Sequence, residues 1–244
     1  MSAKEQSLPF YPQEGVAVTC RSFREYAAMF SLDETELREG GPVLDAAAGA
    51  SSFAAELRAR GIEANAADPR YAISPDALYE ESLEEIGVST AKLARLKDRF
   101  DWTFYGGIDA HRANREQSLE RFIADYRALR ERGDESIYVP ASLPNLPFSD
   151  GTFSLVLCSH FLFLYEEQFD ASFHLEAVRE LYRVVRPGGE LRIYPICNLR
   201  FERYSAMPSI IEDAAARGAR VETVRSHLPF IPGSSELLRM AKPR

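Results

Sequence analysis

Val43-Leu44-Asp45-Ala46-Ala47-Ala48-Gly49-Ala50-Ser51-Ser52-Phe53 is the stretch on which the reading of this chain turns. It opens as a short apolar strand and crosses a loop of very small residues. It then enters a helical pattern over 52–60 that Gly61 closes. Small residues between a strand and a helix let a ligand approach the backbone closely, and the helix start offers N–H groups without intrahelical partners. Residues 63–68 read as a second strand, ended by Pro69, which completes a βαβ unit. Asp68 falls at the tip of that strand, where a carboxylate can accept both hydroxyls of a ribose. Singly, a tight structural turn and a solvated aspartate explain these features as well. Together they point to a nucleoside-containing cofactor at the carboxyl edge of a sheet.

The loop does not suit a dinucleotide. A pyrophosphate needs G-x-G-x-x-G against the helix start, and here Gly49 is the single glycine. A short-chain dehydrogenase also needs Y-x-x-x-K, and no tyrosine in the chain has a lysine four residues later.

Outward from this unit, the pattern alternates. Upstream, 19–30 reads as a helix with Thr19 as N-cap, and Gly40-Gly41-Pro42 breaks the chain before the first strand. Downstream, 71–135 is charged and amphipathic. Ser74-Pro75 and Ser89 read as helix starts, and Leu119, Phe122, Ile123, Tyr126 and Leu129 mark one face of a third helix ending before Gly133. Strand signals return at 136–139, 153–159 and 190–196, with a helix over 173–185 between the last two. A helix over 209–217 and two strands, 220–225 and 236–241, finish the chain. The loop joining those strands passes Pro229, Pro232 and Gly233 and is too short for a crossover helix, so they must pair antiparallel. Strands alternating with helices imply an α/β fold on a mostly parallel sheet.

The 244 residues suit one domain, 1–244, with a helical extension over 1–40 and a helical insertion over 71–135 after the second strand. Hydrophobic residues at 45% and charged residues at 27% are the balance of a globular protein. The formal net charge of -8 disfavours nucleic acid and anionic membranes as partners. With no signal-like start and no span-length apolar run, the expected location is cytoplasmic. Cys20, Cys158 and Cys197 form neither a disulfide framework nor a zinc site, and no metal is expected.

Four blocks, in order, carry a family resemblance: VLDAAAGASSF, ADPRY, LPNLPFSDGTFSLVLCSH and ELYRVVRPGGELRIYP. The chain resembles the class I S-adenosylmethionine-dependent methyltransferases over about 41–70 and from Val139 to its end. That resemblance implies a Rossmann-like sheet of seven strands, mostly parallel, with an antiparallel strand in the last hairpin. The implied cofactor is S-adenosylmethionine, leaving as S-adenosylhomocysteine. The implied cofactor-binding residues are Asp45, Ala47, Gly49 and Ser51 in the first block, and Asp68 and Pro69 in the second. Ser142, Leu143, Ser159 and His160 complete the set from the third block. Asp45, Ala47 and Gly49 would face the methionine part, Asp68 the ribose, and Ser142 or the Leu143 backbone the adenine. The chain departs from the family at Ala47, where glycine is common, at Ser142, where an aspartate often meets the adenine amine, and at Ser154, where Phe-Asp often opens the strand.

The chemistry prunes subclasses. Cys158-Ser159-His160-Phe161 stands where adenine-amine methyltransferases carry N/D-P-P-Y/F, no cysteine follows a proline as a cytosine-carbon nucleophile would, and Ser159-His160 does not supply clustered metal ligands. A small-molecule acceptor, methylated on O or N, is the expectation. The alternatives are a non-catalytic cofactor-binding module and an RNA or tRNA methyltransferase. His160 is the candidate general base, since an unperturbed imidazole titrates near neutrality, and a hydrogen-bonding role stands equally open. Arg21, Arg24 and Tyr26 suit either a lid over the cofactor or a packed helix. Trp102, Phe104 and Tyr105 suit either an acceptor pocket or the core. His174 reads as structural, and His111 and His227 carry no signal.

Overall fold

The computed structural model describes residues 10–244. The strands are β1 (Val43–Ala46), β2 (Ala64–Ala67), β3 (Tyr138–Val139), β4 (Phe153–Ser159), β5 (Val185–Tyr194), β6 (Arg220–Arg225) and β7 (Glu236–Ala241). They form one sheet in the order β3-β2-β1-β4-β5-β7-β6. Only β7 runs against its neighbours, antiparallel to both β5 and β6, while the other pairs are parallel. The short β6–β7 connection forces that reversal. The seven-stranded mixed sheet is the one the sequence implies.

Every residue of β1 and β4 is buried, as expected of central parallel strands covered on both faces. Alternation sends Val43, Leu155 and Leu157 into one core and Leu44, Val156 and Cys158 into the other. Helices α1 (Phe23–Phe30), α2 (Glu34–Gly40), α3 (Phe53–Ala59), α4 (Pro75–Arg95) and α5 (Ile108–Glu131) contribute to the first core. Helices α6 (Ala171–Arg183) and α7 (Met207–Ala216) cover the other. The insertion is therefore the pair α4 and α5, preceded by a short 3-10 turn at Pro69–Ala72. Its anchor is aromatic: the rings of Tyr71, Phe122 and Tyr126 lie within 5.3 Å of that of Tyr138, which places α5 on the β3 edge.

Three expectations change. Ser89 does not start a helix: α4 runs through it unbroken, and its hydroxyl donates to the Glu85 carbonyl at 2.7 Å within the helix. Thr19 does not cap α1. Ser22 does, its N–H donating to the Glu25 carboxylate at 2.8 Å, and the chain before it is extended. Finally, Arg186-Pro187-Gly188-Gly189 does not merely precede β5 but makes a register shift inside it, pairing Phe153 with Val185 and Leu155 with Glu190. A Cβ at Gly189 would lie 2.6 Å from the Ser154 carbonyl oxygen, so only glycine fits there.

Candidate functional site

The small-residue loop after β1 turns sharply, with Ala47 at φ 54° and Gly49 at φ 58°. Ala47 stands in the left-handed region, where glycine is the ordinary choice, so the missing family glycine is replaced without loss of the turn. At Gly49 there is no such latitude. A Cβ would lie 3.0 Å from the Thr19 carbonyl oxygen and 3.1 Å from its nitrogen. The extended segment before α1 is strapped across this loop: the Ala50 and Ser52 N–H groups donate to the Thr19 and Arg21 carbonyls, both at 3.0 Å.

Asp68 ties the loop to the tip of β2. One carboxylate oxygen accepts the Gly49 N–H and the other the Arg70 N–H, both at 2.9 Å. A carboxylate has about four acceptor positions, so two remain for hydroxyl donors. Burial raises the Asp68 pKa despite these two bonds, and further donors would favour its ionised form.

A cavity of about 210 Å³ lies over these strand tips. Of the residues expected to bind cofactor, Ala47, Gly49, Asp68, Pro69, Ser142, Leu143 and His160 line it. Asp45, Ser51 and Ser159 are not on its wall. Asp45 is buried, with one oxygen 3.0 Å from the Tyr26 hydroxyl and the other without a partner, and burial holds its pKa well above the usual range. The Ser51 hydroxyl donates to the Arg21 carbonyl at 2.9 Å and so fastens the strap. Ser159 supports its neighbour, with its Oγ 2.9 Å from His160 Nδ1.

A second cavity, of about 110 Å³, adjoins the first, and Ala17, Thr19 and His160 line both. His160 follows the end of β4 at φ 52°, an uncommon conformation for a side chain of its size. Its N–H donates to the Tyr194 carbonyl at 2.7 Å and its ring meets that of Tyr194 at 5.2 Å. Its pKa is not near neutrality as its sequence position led us to expect. Burial, then the charges of Arg21 and Arg115, push it well below the ordinary value. The imidazole is neutral, and a weak base.

The second cavity draws Glu85, Ile86, Ser89 and Leu93 from α4, and His111 and Arg115 from α5. His111, without signal of its own in the sequence, is thus a wall residue carried by α5. Its spacing to Arg115 and Leu119 on one helical face is the signal the sequence offers for it. The buried cluster behind this wall centres on Glu25, which accepts from Arg115 at 2.6 Å, Tyr105 at 2.7 Å, Asn114 at 2.7 Å and Arg21 at 3.3 Å. Burial opposes its charge, but the two guanidiniums hold its pKa down to about 2. Trp102, Phe104 and Tyr105 pack against the core instead of lining either cavity, and His174 is buried with Nδ1 2.8 Å from the Tyr204 hydroxyl. No helix among the described residues is long and apolar enough to cross a membrane.

A family model described as a methyltransferase domain matches residues 85–193. The uncharacterized protein MJ0045 of Methanocaldococcus jannaschii is 33% identical over 219 residues, 89% of this chain and 92% of that protein. An O-methyltransferase family protein from Burkholderia thailandensis overlays with a TM-score of 0.49 at 15% identity. That overlay covers 88% of this chain, which spans about half, 54%, of that structure. The Burkholderia thailandensis 1,6-didemethyltoxoflavin-N1-methyltransferase, solved with 1,6-didemethyltoxoflavin and S-adenosylhomocysteine, gives a TM-score of 0.47 at 15% identity over 91% of this chain and 81% of that one. The domain match ends within β5, and the relative runs along nearly the whole sequence. This chain carries a methyltransferase domain and belongs to one family with that archaeal relative.

Proposed function

We infer that this enzyme methylates an oxygen or nitrogen of a small-molecule acceptor held in the second cavity. The observation that carries this reading is the junction of the two cavities at Ala17, Thr19 and His160. In the first cavity, Asp68 would take the ribose hydroxyls, Ser142 and Leu143 the adenine, and the Ala47–Gly49 backbone the methionine part.

S-adenosylmethionine held there would supply a sulfonium methyl for displacement by the acceptor oxygen or nitrogen, with a neutral thioether as leaving group and the acceptor proton lost to solvent when the product departs. The chain's own part is positioning and exclusion of water, which suffices for displacement at an activated carbon. The strap over 16–21 closes one side of both cavities, and the α4–α5 insertion walls the second and so sets acceptor choice. His160, neutral and fixed by Tyr194 and Ser159, orients groups at the junction as a hydrogen-bond partner. The low pKa of its ring argues against its taking the acceptor proton.

The test is labelled methyl transfer from S-adenosylmethionine to a cell extract split into small-molecule and RNA fractions. Label in the small-molecule fraction is expected. Label confined to RNA would replace the acceptor class, and tight cofactor binding with no label in any fraction would leave a binding module.

A further inference from the structure

The walls of the second cavity carry polar groups that the folded chain leaves unmatched. His111 Nε2 lies 3.1 Å from Arg115 Nη2, and a guanidinium can only donate, so Nε2 accepts. The imidazole is neutral, since burial and then the Arg115 and Arg21 charges push its pKa down to about 2. Its proton therefore sits on Nδ1, which is buried and has no partner. Arg21 Nε is a second buried donor without a partner. Both residues line the cavity and are more than nine-tenths buried, at 4% and 7% exposure. An unmade bond at a buried donor costs about 1–3 kcal/mol, so two on one cavity wall mark a ligand's place.

Charge points the same way. Two buried guanidiniums, Arg21 and Arg115, share one carboxylate, Glu25, which leaves one positive charge in excess. Burial and the Arg115 charge lower the Arg21 pKa, as for a cation short of a counter-charge. Glu85, on α4 and also on this wall, has its pKa raised by burial against the charges of Lys92 and Arg70, and leaves Oε1 buried as an acceptor without a donor. Size and shape add a constraint. About 110 Å³ is well below the roughly 300 Å³ at which drug-sized pockets begin, and Phe100, Phe201, Phe230 and Tyr11 supply flat apolar surface.

We propose that the second cavity takes a small planar acid, a single ring bearing a carboxylate and a hydroxyl or amino group. The carboxylate meets the Arg21 and His111 donors, and the hydroxyl or amine faces Glu85. This deepens the preceding proposal and rests on it, since it takes that cavity to be the acceptor site.

The experiment is calorimetry on the whole protein saturated with S-adenosylhomocysteine, titrated with 4-hydroxybenzoate, salicylate and anthranilate, and with the corresponding uncharged amides. At least one acid is expected to bind 10-fold or more tightly than its amide. Arg21→Met should abolish that preference while leaving S-adenosylhomocysteine affinity within 2-fold, and Arg21→Lys should restore part of it. Equal binding of acid and amide, or no binding by any acid, overturns the proposal. Weakened S-adenosylhomocysteine binding in Arg21→Met with the acid preference intact also overturns it, because the guanidinium would then serve the cofactor's own carboxylate. If Arg21→Met does not fold, the wild-type comparison of acid with amide decides alone. Failure of the wild type to bind S-adenosylhomocysteine is a separate outcome that removes the underlying reading as well.

Discussion

Arg115 Nη1 lies 2.6 Å from Glu25 Oε1 with both side chains almost wholly buried, joining the insertion helix α5 to the N-terminal helix α1. The two elements are far apart in sequence and meet here beside the second cavity. Removing one partner of a buried ion pair strands the other's charge, at a cost of about 3–5 kcal/mol. Glu25→Gln strands two guanidiniums at once. Its unfolding free energy, measured by urea titration, should fall by an amount in that range, and a loss below about 1 kcal/mol would mean that water reaches the cluster.

Asp68→Ala removes the carboxylate that faces the first cavity and the acceptor for the Gly49 N–H. Bonds to a charged acceptor and the hold on the loop disappear together, so S-adenosylhomocysteine affinity should drop by about 2–4 kcal/mol by calorimetry. Unchanged affinity would remove Asp68 from the ribose site.

Gly49→Ala tests the strap over the loop. The added methyl meets the Thr19 backbone at 3.0 Å and 3.1 Å, at a φ of +58°. Strain of this kind costs about 1–3 kcal/mol, and displacing Thr19 disturbs the wall common to both cavities. Stability and S-adenosylhomocysteine affinity should both fall. A fully stable variant that binds normally would show that the segment moves aside freely.

The two cavity histidines set a pH dependence of stability. Burial, followed by the neighbouring arginine charges, places the folded pKa of both His160 and His111 below the unfolded value of about 6.5. Below that pH the unfolded chain binds more protons than the folded one. Stability present above about pH 6.5 is therefore lost as pH falls, at up to about 1.4 kcal/mol per pH unit for each histidine. Denaturation midpoints between pH 7 and 5 check the sign, and His111→Phe should remove part of the slope.

For the same reason, methyl transfer should show no ionisation of His160 between pH 6 and 8. A turnover profile that rises through the imidazole range and flattens in His160→Asn would restore the general base and refute this account. Asparagine tolerates the left-handed backbone at φ 52°, so the variant should fold.

The sequence by itself determined the sheet and the small-residue loop with Asp68 at its carboxyl edge. Val43 to Phe53, Asp68 and the alternating strand signals are local: each rests on residues adjacent in the chain, and a parallel α/β sheet leaves few ways to connect them. Even the reversed strand β7 was legible, because a loop too short for a crossover permits only one pairing. Only the tertiary structure decided the second cavity and the chemistry of His160. Its wall is drawn from the strap, α4, α5 and the segments around Phe201 and Phe230, which no spacing rule relates. The imidazole at 160 looked like a base because isolated histidine is one. Its neutrality comes from burial and from two arginines that the fold, not the chain order, brings near it. Electrostatics and burial depend on distance in space, and for residues so far apart along the chain that distance is set only once the helices have packed.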